Sequence, residues 1–407
     1  MTAEWLDSDE PFFREWQARR LGQKRSMRRA RDFYTAIGLS EVQMPPILTV
    51  VGSKGKGTAV AHATSVLAAS GLRVGTVTSP PFRTNRERVR LDGVALPEVQ
   101  YDDLADLTRK GLGHLTRDDG GYLSPTGAFT LAGASFLIAK GVDVLVLEEG
   151  LGGLSDEVSL FDPKVVAVTP IFAEHLGVLG EGVPEIAADL IGVINSTTEM
   201  VVTTQQLPCV ERELQSHLGT SMFREISSVP EIFQRTVPAL GAANAAVGSA
   251  AGEWLANSLG MSSDSSLVAE AAARVTLPGR LSVHPPALGT RHGPWVVDAA
   301  INSDGVEAAL AWCAEHVARP VLVLASFPDV KDARACFLAL GNLPVQAVTA
   351  GESYLRFDAA STPGTLVTAR QAFEHADREE GVILCLGTIS FVAEVLDHVD
   401  AATEEWW

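Results

Sequence analysis

The residues best suited to chemistry form a short glycine-rich loop between an apolar run and a helical pattern. The loop reads Gly52, Ser53, Lys54, Gly55, Lys56, Gly57 and Thr58. Glycines let backbone amides close around phosphate groups, and the N-terminus of the following helix adds partial positive charge. Lys56 could reach terminal phosphates and Thr58 could bind magnesium, although Gly57 interrupts the usual Lys-Ser/Thr ending. The loop therefore predicts a site for a nucleoside triphosphate.

Three further polar residues follow predicted strands and could serve as magnesium ligands. Ser79, Glu148 and His175 each come directly after an apolar run. Because the carboxyl ends of parallel strands meet at one edge of a sheet, these side chains should lie near the loop. Each also has an ordinary interpretation: a turn residue, a solvated strand end and a surface imidazole. Their shared position favours the metal site.

Four arginines crowd the loop after the second strand, in a chain that is otherwise acidic. They are Arg83, Arg86, Arg88 and Arg90. Such a cluster could attract an anionic substrate or a triphosphate. A solvated basic loop explains it equally well, so both interpretations stay open.

Short Val, Ile and Leu runs alternate with helical patterns, which is typical of an α/β fold with a mostly parallel sheet covered on both faces. In the first part of the chain the predicted strands are 47–52, 72–79, 142–149, 164–171 and 200–204, and the predicted helices are 58–70, 125–140, 185–194 and 242–259.

Three prolines and a glycine in residues 277–286 predict a linker. A second alternation follows, with strands at 295–299, 321–325, 345–350 and 382–386 and helices near 305–316, 331–340 and 368–378. We therefore expect two α/β domains: residues 1–276 with the phosphate loop, and a smaller Rossmann-like domain over 287–407.

Composition excludes several classes of protein. The chain has 407 residues and a net charge of -18, which disfavours binding to nucleic acid. Its four cysteines show neither a zinc-site spacing nor a disulfide framework. The acidic N-terminus does not resemble a secretory signal, and no apolar run reaches the length of a membrane span. We expect a cytoplasmic protein without a membrane partner.

Taken together, the motifs resemble the folylpolyglutamate synthase and dihydrofolate synthase family of the Mur ligase superfamily, over most of the chain from Leu21 to Leu396. The family's Gly-Thr-Asn-Gly-Lys-Gly-Ser is similar to residues 52–58, its Thr-Ser-Pro-His to 78–81 and its downstream Glu-Arg to 87–88. Further motifs in the same order are Leu-Glu-Val-Gly-Leu-Gly-Gly at 147–153, Asp-His at 174–175, Asn-Ala at 244–245, Pro-Gly-Arg at 278–280 and Lys-Asp at 331–332.

The resemblance implies an ATP-dependent, ADP-forming carbon–nitrogen ligase that makes an acyl phosphate and then an amide. Its cofactors would be ATP and Mg²⁺, and its substrates a small carboxylate acceptor and an amine such as L-glutamate. Lys56, Glu148 and His175 would be catalytic. Thr58 and Glu148 would hold one magnesium, and Ser79 and His175 would help to hold another. The nucleotide would also contact Asn244, Arg280 and Asp298, and the protein would be a monomer.

Some family residues are replaced. Leu190 stands where the family has a lysine that becomes carbamylated and supports magnesium, and Ile301 replaces a histidine associated with the incoming glutamate. The second metal would then be bound differently, supported by Asp189 or Glu149, or absent. Leu154 replaces an arginine, and Pro81 a histidine.

Three hypotheses follow from this pattern of matches and replacements. The first is an amide ligase with a divergent acceptor or amine, because the nucleotide motifs survive better than those that recognise glutamate and the pterin. The second is a genuine folylpolyglutamate or dihydrofolate synthase. The third is a degenerate ATP-binding partner protein without ligase activity.

Overall fold

The computed structural model describes residues 7–116, 120–262, 265–285, 293–329, 332–350, 355–358 and 362–407. The strands are β1 (Ile47–Val51), β2 (Val74–Val77), β3 (Val89–Leu91), β4 (Val94–Ala95), β5 (Val144–Glu148), β6 (Val165–Val168), β7 (Met200–Thr204), β8 (Met222–Ile226), β9 (Arg280–His284), β10 (Trp295–Asp298), β11 (Leu322–Ser326), β12 (Val345–Thr349), β13 (Val367–Thr368) and β14 (Ile383–Gly387). The helices are α1 (Glu10–Ala18), α2 (Met27–Ala36), α3 (Lys56–Ala69), α4 (Glu98–Gly113), α5 (Pro125–Ala139), α6 (Val183–Ile191), α7 (Pro208–His217), α8 (Glu231–Thr236), α9 (Ala239–Ser258), α10 (Ser265–Arg274), α11 (Ser303–His316), α12 (Ala333–Ala339), α13 (Ala369–Ala376) and α14 (Ile389–His398).

The strands form two sheets, and the mixed α/β class predicted from the sequence is confirmed. The first sheet has eight strands in the order β4-β3-β2-β5-β1-β6-β7-β8, and the second has six in the order β13-β12-β11-β14-β10-β9. All neighbours run parallel except the β2-β3-β4 meander and the β9-β10 pair. The strand that leads into the phosphate loop, β1, is buried at every position between β5 and β6. Its sequence, apolar except for Thr49, suits a strand covered on both faces.

The helix that follows the phosphate loop is held by close packing against α9. Helix α3 is rich in alanine and is buried on nearly all sides. Where the two helices meet, a Cβ on Gly248 would lie 2.0 Å from the carbonyl oxygen of Ala59, so only glycine permits this approach. The contact fixes the helix N-terminus relative to α9, which carries Asn244.

Part of the predicted linker is a strand. Residues 280–284 form β9, which pairs antiparallel with β10 at the edge of the second sheet. The prolines misled the prediction because Pro278 precedes the strand and Pro285 follows it, so neither removes a ladder hydrogen bond. The domain boundaries themselves remain a prediction. Within the described ranges, no helix combines the length and apolar character needed to cross a bilayer.

Candidate active site

The phosphate loop is anchored on both sides by neighbouring strand ends. Gly52 N–H donates to Glu149 Oε2 at 3.1 Å, and Ser53 N–H donates to the carbonyl of Pro170 at 3.0 Å. The Ser53 hydroxyl also donates to the carbonyl of Phe172 at 3.2 Å. Gly55, at φ +87°, has a left-handed backbone, and a Cβ there would lie 2.0 Å from Nδ2 of Asn244. The loop is therefore held in one shape, with α9 against its tip.

Lys56 lies at the start of α3, near the acidic residues Glu148, Glu149 and Glu174. Its Nζ donates to the carbonyl of Gly52 at 2.6 Å and lies 3.4 Å from Oε1 of Glu149. Burial alone lowers the pKa of Lys56, but Glu149, Glu148 and Glu174 together raise that pKa above its ordinary value. The ammonium group is thus charged and is available to exchange these contacts for phosphate oxygens.

Glu148 ends β5 and faces the same space. Its Oε2 accepts hydrogen bonds from the Thr78 hydroxyl and, at 3.1 Å, from the Ser79 backbone N–H. Burial raises the pKa of Glu148, and Lys56 and these hydrogen bonds oppose the rise. Burial likewise raises the pKa of Glu149 to about 7, against the lowering effect of Lys56.

One pocket gathers several of the predicted site residues. It is lined by Gly57, Thr58, Thr78, Ser79, Pro80, Pro81, Phe82, Glu148, Leu277, Arg280 and Trp406. Three hydroxyl-bearing residues, Thr58, Thr78 and Ser79, and the buried carboxylate of Glu148 thus meet near the N-terminus of α3. Hard oxygen ligands of this kind fit magnesium, which keeps several positions for water and substrate phosphates. No cluster of three or more acidic, histidine or cysteine side chains suited to a metal occurs among the described residues.

His175 is placed differently. It lies in an exposed loop after β6 with φ +56°, and its carbonyl accepts hydrogen bonds from Val178 and Leu179. It is not among the described residues that line the pocket. Its neighbour Glu174 does act electrostatically on Lys56. The second magnesium site through Ser79 and His175 therefore remains a prediction.

Two residues of the second sheet face the phosphate loop. Asp298 Oδ2 accepts from the backbone N–H of Leu281 at 2.9 Å. Burial raises the pKa of Asp298, whereas the positive charges of Arg280 and Lys54 lower it. Lys54 of the phosphate loop therefore lies close enough to the second sheet to act on Asp298 electrostatically. Lys331, which the resemblance matches to the lysine of the family's Lys-Asp motif, lies outside the described residues.

The carboxylates proposed to replace the missing lysine already have partners. Asp189 accepts from Gly153 N–H at 2.9 Å and from the backbone and hydroxyl of Ser155 at 3.2 and 3.0 Å. Glu149 binds Gly52 and Lys56, as described above. Leu190 itself is 2% exposed and packs in the core. Either carboxylate would have to give up these contacts to support a metal.

The arginine loop serves mainly to hold the C-terminal end of the chain, a role that the sequence did not reveal. The guanidinium of Arg83 binds Asp397 at 2.8 Å. Arg90 is fully buried and donates to the carbonyls of Thr403 and Glu404 at 3.0 and 2.7 Å. Arg88 does not line the pocket itself, but it donates to the hydroxyl of the lining residue Ser79 at 2.9 Å.

Several known proteins are similar to this chain. A dihydrofolate synthase/folylpolyglutamate synthase of Bacillus subtilis is 28% identical over 327 residues, which is 72% of this chain and 74% of that protein. The Escherichia coli protein of the same name is 31% identical over 182 residues, 44% of this chain and 41% of that protein. The chain is thus similar to dihydrofolate synthase/folylpolyglutamate synthase proteins over much of its length. No protein-family model matches it.

Solved folylpolyglutamate synthase structures share the fold of this chain. A Mycobacterium tuberculosis folylpolyglutamate synthase complexed with ADP and AMPPCP superposes with a TM-score of 0.80 at 20% identity, covering 98% of this chain and all of that one. The apo form of the L. casei enzyme gives a TM-score of 0.80 at 22% identity, covering 97% and 100%.

Proposed function

We propose that the chain is an ATP-dependent amide ligase that activates a substrate carboxylate as an acyl phosphate. The observation that carries the proposal is the pocket in which Thr58, Ser79, Glu148 and Arg280 meet beside the loop lysine Lys56. The names of the Bacillus subtilis and Escherichia coli relatives support the same reaction class.

In this proposal the loop amides and Lys56 bind the triphosphate, and Lys56 exchanges Glu149 for phosphate oxygens. The acceptor carboxylate attacks the γ-phosphorus, the bond to the β–γ bridging oxygen breaks, and ADP leaves. The amine nitrogen then attacks the acyl carbon and loses a proton, and inorganic phosphate leaves. Magnesium, held by Thr58, Glu148 and Ser79, would neutralise charge on the phosphates.

The first substrate pair to consider is a pteroate or folate with L-glutamate, because the relatives are named dihydrofolate synthase/folylpolyglutamate synthase. The divergent acceptor or amine inferred from the sequence remains the second candidate. One observation favours it: Ile301, after β10, offers no polar group to a glutamate carboxylate, and the next residue, Asn302, is occupied in capping α11 at 2.9 Å from Gly305 N–H.

The test is ADP release with MgATP and a matrix of acids and amines, beside AMPPCP binding by calorimetry. Stimulation by pteroate or folate together with L-glutamate supports the first pair, whereas stimulation only by another acid or amine supports the second. If AMPPCP binds and no combination stimulates ADP release, the ligase proposal is wrong and an ATP-binding partner protein remains. Light scattering during chromatography tests the expected monomer.

A further inference from the structure

Glu149 holds two groups of the phosphate loop that the proposed function assigns to phosphate. It follows β5 directly, and only 3% of its surface is exposed. Its Oε2 accepts from Gly52 N–H at 3.1 Å, and its Oε1 lies 3.4 Å from Nζ of Lys56. The same Nζ donates to the carbonyl of Gly52 at 2.6 Å. The carboxylate, the first loop amide and the loop lysine therefore form one closed set of contacts.

This carboxylate is an addition to the motif in which it stands. Residues 147–153 are similar to Leu-Glu-Val-Gly-Leu-Gly-Gly, whose third position is valine, whereas this chain has Glu149. Glu148, at the preceding position, matches the motif. A valine side chain can neither accept from Gly52 N–H nor pair with Lys56, because it carries no polar atom. The contacts of Glu149 with the loop are thus particular to this chain and not part of the matched pattern.

A carboxylate at this position opposes the binding of a polyphosphate in two ways. The N–H of Gly52 and the charge of Lys56 are already engaged by Glu149, so phosphate oxygens must compete for them. The carboxylate also repels phosphate oxygens that approach Nζ, and burial reduces the screening of that repulsion by solvent. Loop lysines of this kind reach the β- and γ-phosphates, whereas loop amides surround the α- and β-phosphates. The opposition therefore falls mainly on nucleotides with more than one phosphate.

We propose that Glu149 is an internal competitor of the terminal phosphates, which must give up Lys56 and the Gly52 amide before a nucleoside triphosphate binds fully. The inference rests on the nucleotide site of the proposed function and adds what limits its affinity. A hydrogen bond to a charged group corresponds to roughly a ten- to hundredfold change in an equilibrium constant. We expect the lower end of that range, because Glu148 and Glu174 continue to act on the lysine when Glu149 is neutralised.

The test is calorimetry of AMPPCP binding to the full chain at pH 8. Glu149→Gln removes the charge and keeps an acceptor for Gly52 N–H, and Glu149→Val introduces the residue of the motif. Both variants should bind AMPPCP more tightly than the wild type, by roughly tenfold for glutamine. AMP, measured by its displacement of AMPPCP, should bind all three proteins within about twofold, because it brings no phosphate to Lys56. Glutamine has the size of glutamate and so guards against unfolding of the valine variant.

Glu157→Gln is the matched control, because it makes the same change at a buried carboxylate outside the phosphate loop. Glu157 is 2% exposed, and its Oε1 accepts from the Ser124 hydroxyl at 3.2 Å. AMPPCP affinity in this variant should stay within about twofold of the wild type. The titrations are then repeated with EDTA in place of magnesium. The tighter binding of Glu149→Gln should persist, since the competition takes place at the loop and not at a metal ion.

The inference is overturned if Glu149→Gln binds AMPPCP no more tightly than the wild type, if AMP gains as much as AMPPCP, or if Glu157→Gln gives the same gain. A loss of affinity in Glu149→Gln that appears only with magnesium would also overturn it, and would make Glu149 a support for the metal. Failure of the ligase function would look different. In that case Glu149→Gln would bind AMPPCP more tightly, while no combination of acid and amine stimulated ADP release.

Discussion

Restoring the family's lysine by Leu190→Lys should destabilise the protein and should not raise its activity. Leu190 lies in α6 with 2% of its surface exposed, and its carbonyl oxygen would be 2.4 Å from a Cβ on Gly153. The helix is thus pressed against the glycine turn. A lysine here loses the buried leucine contacts, worth about 2–5 kcal/mol, and must also bury an ammonium group or deprotonate.

The expected loss is therefore about 3–5 kcal/mol, a large part of the roughly 5–15 kcal/mol that stabilises a typical domain. Urea unfolding, followed by circular dichroism, measures it. Leu190→Met is the matched control, because a swap that conserves volume costs less than about 1.5 kcal/mol. ADP release is measured in parallel, with and without added bicarbonate, since a carbamate on the new lysine requires carbon dioxide.

One result would refute this reasoning. If Leu190→Lys unfolds at the same urea concentration as the wild type and gains turnover that depends on bicarbonate, then the space beside Asp189 accommodates the family's metal support. The site would then be one that merely lacks its lysine.

Lys56→Ala should lower stimulated ADP release by at least about 100-fold without unfolding the protein. The control Lys110→Ala changes an exposed lysine on α4 and should leave ADP release unchanged. Equal turnover in the two variants would contradict the proposed role of Lys56. Glu148→Gln keeps an acceptor for Thr78 and Ser79 but loses a charge, so nucleotide binding should need far more magnesium, as a titration with AMPPCP would show. Burial, aided by Asp156 and opposed by Arg25, raises the pKa of Glu157 from 4.5 to about 7. Because the folded state then holds the proton more tightly, this group favours folding below about pH 4.5, and the contribution is lost as pH rises to about 7, by about 3 kcal/mol at most. Urea unfolding at pH 5 and pH 8 measures this pH dependence of the free energy of unfolding. Glu157→Gln should reduce it, and Glu307→Gln, at an exposed position, should leave it unchanged. A wild-type pH dependence in Glu157→Gln would show that the Glu157 carboxyl does not cause it.

Local pattern predicted the centre of the fold well, because the central strands are buried on both faces and so are mostly apolar. β1 and β7 have such runs, and helix α5 begins after its Ser124 cap as predicted. Edge elements were missed for the opposite reason. β8 is mostly exposed, and β3 contains a buried arginine, so neither shows a core-like run.

The candidate site divides along the same line. Residues within one motif, such as Lys56 and Thr58, were proposed from spacing, and Glu148 from its place at a strand end. Glu149 was noticed only as a possible substitute for the lysine, whereas the structure makes it the partner of Lys56. This ion pair joins residues that follow two different strands, β1 and β5, and no sequence pattern predicts such a pair.

Composition could not predict whether the arginines after β2 bind a ligand or another part of the chain. A cluster of cations predicts an anion nearby, but not whether that anion is a ligand or part of the chain. Arg90 meets Thr403 across 313 residues, and a contact at that separation leaves no local signal. The charges that could attract a substrate in solution instead hold the C-terminal residues in place, and the guanidinium of Arg90 lies 4.4 Å from the centre of the buried Trp406 ring.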